Sequence, residues 1–180
     1  MKKNVIVFGL ISGVIITTMM VNIASMCYTN PDMKSNDVVG YAAMIAAFSF
    51  IFIGIRNYRD KYNSGVITFG KAFKTGFYIT LIASSMYVAV WLVDYYVFMP
   101  DFLEKYIPHM LREASADGAS QTELKDKAAE LAEFKEMYQN PAFVVIITFL
   151  EVLPVGLIVS LISALILKRK SKDHATATAS

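Results

Sequence analysis

The sequence predicts an all-α integral membrane protein, a four-helix bundle with an amphipathic helical hairpin between its third and fourth spans. Three observations predict it. Of 180 residues, 56% are hydrophobic and 18% charged, against roughly 45 to 50% apolar, glycine included, in an ordinary soluble domain. Four segments are apolar over about 18 residues or more, enough to cross a hydrocarbon core of about 30 Å. The alternating segments of about ten residues that a membrane barrel needs are missing from the sequence, and lipid offers an open strand's backbone no partners.

The spans are taken as residues 4–27, 38–55, 75–98 and 142–167. Lys2 and Lys3 before the first apolar run also describe a signal peptide, but the run is long, no A-x-A site follows it, and Met26 precedes Cys27 where a lipoprotein box wants a small residue. An uncleaved first span is expected. The second span carries no charge from Val38 to Ile55. The fourth opens at Asn140-Pro141, an N-cap followed by proline at the first helical position.

Between spans three and four, residues 101–139 hold nine acidic and five basic side chains. Leu103, Tyr106, Ile107, Met110 and Leu111 recur at helical spacing. Ser120 to Glu123 reads as a capping box opening a second helix, whose stripe runs through Leu124, Ala128, Leu131 and Tyr138. Asp117-Gly118-Ala119 is the turn between them. The hairpin either lies on the outer membrane surface or docks a protein partner through its stripes.

Charge placement orients the chain. Eleven Lys and Arg fall at the two ends and in the loop after span two, against six spread through Lys34 and the long acidic segment. Both termini are therefore expected to be cytoplasmic, in a bacterial inner membrane, with residues 1–170 as one membrane domain and 171–180 as a disordered cytoplasmic tail. A net charge of +2 gives no electrostatic case for nucleic acid. One cysteine, Cys27, and two distant histidines, His109 and His174, suggest no disulfide, metal or cofactor site.

Small residues line one face of three spans: Gly9, Gly13 and Thr17; Gly76, Thr80 and Ser84; Gly156, Ser160 and Ala164. They let helix backbones approach closely, within the bundle or in a homo-oligomer. Gly65 to Lys71 matches the G-x-x-x-x-G-K pattern, but Ala72 replaces the Ser or Thr that would bind magnesium, and bulky residues fill the intervening positions. The stretch is read instead as a basic, aromatic lead into span three, with Ile67, Phe69 and Phe73 beside Lys71 and Lys74. Contact with anionic lipid headgroups, about 1 kcal/mol per basic residue, is its expected role.

The run Phe52-Ile53-Gly54-Ile55-Arg56-Asn57-Tyr58-Arg59-Asp60, followed by Gly65, Ile67, Phe69-Gly70-Lys71-Ala72-Phe73 and Gly76, resembles the signature of domain of unknown function 4199. That is an uncharacterised family of bacterial four-span membrane proteins, mainly from Bacteroidetes. The resemblance extends from the first span to about Leu167. It implies fold and membrane location and no catalytic residue, and it marks Arg56, Tyr58, Arg59, Asp60, Gly70 and Lys71.

Three polar residues lie inside the apolar spans: Glu151, Asp94 and Asn22. At 1.5 Å per residue Glu151 is roughly 15 Å along span four from Pro141, and no span core contains Lys or Arg. An ionised, unpaired Glu151 is costly, so it is expected to be neutral or to face a water-filled cleft. Pro154 frees the carbonyl of Leu150 beside it and favours such a cleft. Asp94, near Trp91, Tyr95 and Tyr96, reads as an interfacial residue that reaches water. Three functions are compatible: a non-enzymatic protein acting through protein partners or membrane organisation; a small oligomeric transporter or proton-coupled carrier using Glu151; and an intramembrane enzyme, for which no nucleophile or metal set speaks.

Overall fold

A computed structural model describes residues 1–30 and 37–169. Its helices are α1 (Lys2–Thr29), α2 (Asp37–Tyr62), α3 (Phe69–Val93), α4 (Phe102–Ala116), α5 (Gln121–Met137) and α6 (Pro141–Leu167). A π-helical turn, Asp94–Phe98, prolongs α3, closed by the Met99 N–H donating to the Asp94 carbonyl at 2.8 Å. Four helices, α1, α2, α3 with its π turn, and α6, are long and apolar enough to cross a membrane. The chain is a helical membrane bundle, and no strand occurs among the described residues. The tail from residue 170 and Lys34 lie outside the described residues.

The helices overrun the apolar segments that predict them. α2 continues from Ile55 through the charged run to Tyr62, and α3 begins at Phe69, where the Thr68 hydroxyl caps it by accepting from the Lys71 N–H at 3.4 Å. The hydrocarbon limits the apolar stretch, whereas the backbone continues until a cap satisfies its end. Both halves of the Ser120–Glu123 capping box form, Gly118 turns at φ +92°, and the Asn140 side chain accepts from Ala142 N–H at 3.0 Å.

Around the bundle the order is α1, α2, α6, α3. α3 and α6 run antiparallel, with Gly76 against Ser160 and Gly156 against Thr80. A Cβ on Gly156 would stand 2.3 Å from Thr80 Cγ2, and one on Gly76 would stand 2.9 Å from Ser160 Cβ. The Thr80 and Ser160 hydroxyls share a hydrogen bond of 3.0 Å between these two close approaches. α1 and α3 run parallel, Gly9 facing Ile82 and Gly13 facing Met86. The small-residue faces are thus spent inside the chain, where close contact replaces the hydrophobic driving force that lipid removes.

The terminal end of the bundle is tied by the charged run. Arg59 donates from Nε to Asp60 Oδ1 at 2.6 Å and from an Nη to the Leu167 carbonyl at 3.4 Å, capping α6 with a cation. Ile67 and Arg169 exchange backbone hydrogen bonds of 3.0 and 2.8 Å, fastening the α2–α3 loop to the chain just after α6. Lys71 donates to Asn63 Oδ1 at 2.8 Å and stands over the Tyr58 ring at 5.6 Å. Asn4, buried in α1, donates to the Gly54 carbonyl at 2.8 Å and accepts from Asn57 at 2.6 Å.

Candidate functional site: a polar-floored cavity at the hairpin end

At the opposite end the four spans do not close on one another. A cavity of about 480 Å³ lies there, walled by α1, the first two turns of α2, α3 and α6, and roofed by the hairpin. The roof is aromatic. Trp91 meets Phe102 edge to face at 5.3 Å, Phe102 stacks on Tyr106 at 5.3 Å, and Phe134 and Tyr138 pack at 5.0 Å. The α4 stripe places Leu103 beside Phe102, both buried. The stripe therefore serves the chain's own core at this end. α5 has no buried residue.

Polar groups of the cavity come from α3, from α6 and from Tyr138 at the C-terminal end of α5. Glu151 on α6 is exposed and lines the cavity, and Tyr87 on α3 donates its hydroxyl to Glu151 Oε1 at 3.3 Å. Trp91, one turn further along α3, donates Nε1–H to the Tyr138 hydroxyl at 2.9 Å, and burial pushes that phenol up from its ordinary value. Thr148 is buried one turn before Glu151 and returns its hydroxyl to the Val144 carbonyl at 2.7 Å, so the glutamate's partner is Tyr87. α6 continues through Pro154 as one helix. Among the described residues lining the cavity there is no Lys, Arg or His, and no group of residues suited to a metal ion occurs among the described residues.

The three polar residues of the spans do not form one site. Asn22 is exposed on α1 and donates to the Thr18 carbonyl at 2.7 Å, its own helix satisfying it. Asp94 is only 8% exposed, in the π turn, with Oδ2 lacking a hydrogen-bond partner among the described residues, so it does not reach water as an interfacial residue would. The widened turn rotates Asp94 inward and leaves Tyr96, Val97 and Phe98 outward. Neither residue lines the cavity. Of the loop residues, Tyr58, Arg59, Asp60 and Lys71 join the terminal-end network described above. Arg56 contributes a 3.7 Å contact to Asp60, and Gly70 is exposed with open space at its Cβ, so nothing in the structure explains its glycine.

Tyr87 was not marked by its own sequence, since a tyrosine in an apolar run reads as interfacial. The usable signal was register. Gly76 opposite Ser160 and Thr80 opposite Gly156 carry the antiparallel pairing on to Tyr87 and Glu151.

A second ionic cluster holds the hairpin to α1. Tyr28 donates to Asp101 Oδ1 at 2.5 Å, Lys105 approaches Asp101 Oδ2 at 3.1 Å, and the ammonium sits 3.6 Å over the Tyr28 ring. The Tyr28 hydroxyl, with Lys105, holds the Asp101 carboxyl below its usual range, and the same contacts raise Lys105.

A family model described as "Protein of unknown function (DUF4199)" matches residues 7–169. No curated protein matches the chain, and no solved structure does.

Proposed function

Starting from the chain's membership of the DUF4199 family, to which no function is attached, we propose that it is a non-enzymatic membrane protein that takes a lipid-soluble small molecule into the cavity at the hairpin end. The observation that carries this reading is the Tyr87–Glu151 pair on the wall of a mostly apolar, aromatic-roofed space. A volume of about 480 Å³ lies in the range of about 300 to 1,000 Å³ typical of small-molecule sites, which are mostly apolar with a few placed polar groups. This favours the small-carrier reading of Glu151 over action through protein partners, because the α4 stripe that would dock a partner covers the cavity instead. The Lys and Arg distribution supports an inner-membrane setting with cytoplasmic termini, the basic loop lying against anionic headgroups.

The chain has a single tryptophan, and Trp91 lines the cavity. Its fluorescence therefore reads occupancy. In nanodiscs of neutral lipid, 10-bromodecanol is expected to quench Trp91 saturably, and Gly40→Phe, built where open space surrounds the Cβ at the cavity wall, should remove the saturable part. Quenching that only grows in proportion to probe, identically in both proteins, would sink the proposal.

A further inference from the structure

We infer that the occupant of this cavity is a hydrophobic organic monocation, an amphiphile with an ammonium-like or delocalised positive centre, held by Glu151. The inference rests on the small-molecule reading above and adds the charge of the ligand.

The argument is one of charge complementarity on a wall of mostly apolar and aromatic side chains. Glu151 lines the cavity as its single carboxylate, and its one hydrogen bond among the described residues comes from Tyr87, to Oε1. No basic side chain among the described lining residues neutralises it. Lys105 of the hairpin is engaged with Asp101 and with the Tyr28 ring. A neutral apolar occupant would desolvate this carboxyl and give nothing back, and an anion would meet repulsion. A cation supplies the missing counter-charge.

The rest of the lining agrees. Trp91, Phe102, Tyr106, Phe134 and Tyr138 surround the upper cavity, and aromatic faces attract a cation within about 6 Å while tolerating its apolar body. Met19, Met20, Met26 and Met44 complete the wall with unbranched, polarizable chains that adapt to different shapes. The surface thus accommodates the body loosely and fixes only the charge.

Two probes of nearly the same shape and opposite charge, tetraphenylphosphonium and tetraphenylborate, with triphenylphosphine as a neutral companion, separate the possibilities. Each is titrated against Trp91 emission of the full chain in phosphatidylcholine nanodiscs, with Gly40→Phe as the background without a site. Tetraphenylphosphonium should give a saturable change that Glu151→Gln weakens at least tenfold and Glu151→Asp largely restores, while triphenylphosphine binds wild type and Glu151→Gln alike. Equal binding of tetraphenylphosphonium by wild type and Glu151→Gln, or equal saturable binding of tetraphenylborate and tetraphenylphosphonium by wild type, overturns the assignment of charge. Saturable binding of the neutral probe without the cation also overturns it and leaves the cavity reading standing. No saturable change with any probe overturns both.

Discussion

Thr80 and Ser160 share a 3.0 Å hydrogen bond between α3 and α6, each lying against a glycine of the other's helix. The hydroxyls satisfy one another, and the missing side chains of Gly76 and Gly156 let them meet. Polar and small residues therefore act together at this seam, and neither would suffice in lipid, where an apolar flank gains nothing by leaving the acyl chains.

Gly156→Ala should accordingly be destabilising, by about 1 to 3 kcal/mol as for other overpacked sites, because its Cβ would stand 2.3 Å from Thr80 Cγ2. Thr80→Ser deletes that methyl and keeps the hydroxyl, so the double variant should recover much of the loss, a coupling that thermal unfolding in detergent can read. Gly70→Ala, with nothing near its Cβ, should be neutral or slightly stabilising. Additive losses in the double variant would contradict the seam.

Arg59 caps the end of α6 while its side chain stays only 17% exposed. Arg59→Gln should speed amide exchange at Ile67 and Arg169, whose mutual hydrogen bonds depend on that end staying in place. Amides around Thr80 and Ser160 should keep their protection. The expected loss is about 0.3 to 1 kcal/mol, the range for a cation at a helix C-terminus. Unchanged exchange at Arg169 would show that the capping contact does not hold this end.

The Tyr28–Asp101–Lys105 cluster gives the hairpin a pH dependence. Asp101 is held below its unfolded value by Tyr28 first and Lys105 second, so its contribution is present above the ordinary carboxylate range and is lost as pH falls through the lowered folded value. Lys105 is raised, so its contribution is present below the ordinary lysine value and lost as pH climbs through the raised one. Acid should loosen α4, reported by a red shift of Trp91 as Phe102 withdraws from it. Asp101→Asn should make that acid limb shallower. An identical limb in the variant would remove Asp101 from the account.

Topology has a direct test. In a Cys27→Ser background, Ser120→Cys should react with an impermeant maleimide on intact cells, and Ser64→Cys should not. The reverse pattern would invert the orientation derived from the Lys and Arg distribution.

Much of the bundle was legible because lipid imposes a simple rule on composition. Each of the four apolar segments lies in a span-length helix, and local chemistry marked the hairpin turn, the Ser120 cap and the Asn140-Pro141 start. What could not be read was the arrangement of helices around the bundle, since a span with apolar residues on every side carries no direction. Glu151 stood out as a charge in hydrocarbon, but its cavity is made by residues from six helices and no segment announces it. Asp94 misled because its aromatic neighbours suggested the interface, whereas a π-helical turn, invisible in composition, turns it inward. Asn4 and Asn57 bond α1 to α2, and nothing near either residue in sequence pointed to the other.

The glycines that touch a neighbouring helix, Gly9, Gly13, Gly54, Gly76 and Gly156, all lie in the half of the bundle nearer the termini, and Gly40 in the other half touches nothing within 4 Å. The tight seams and the cavity thus occupy different halves of the bundle. Filling the cavity wall, as Gly40→Phe does, should therefore leave the contact of Thr80 with Ser160 undisturbed.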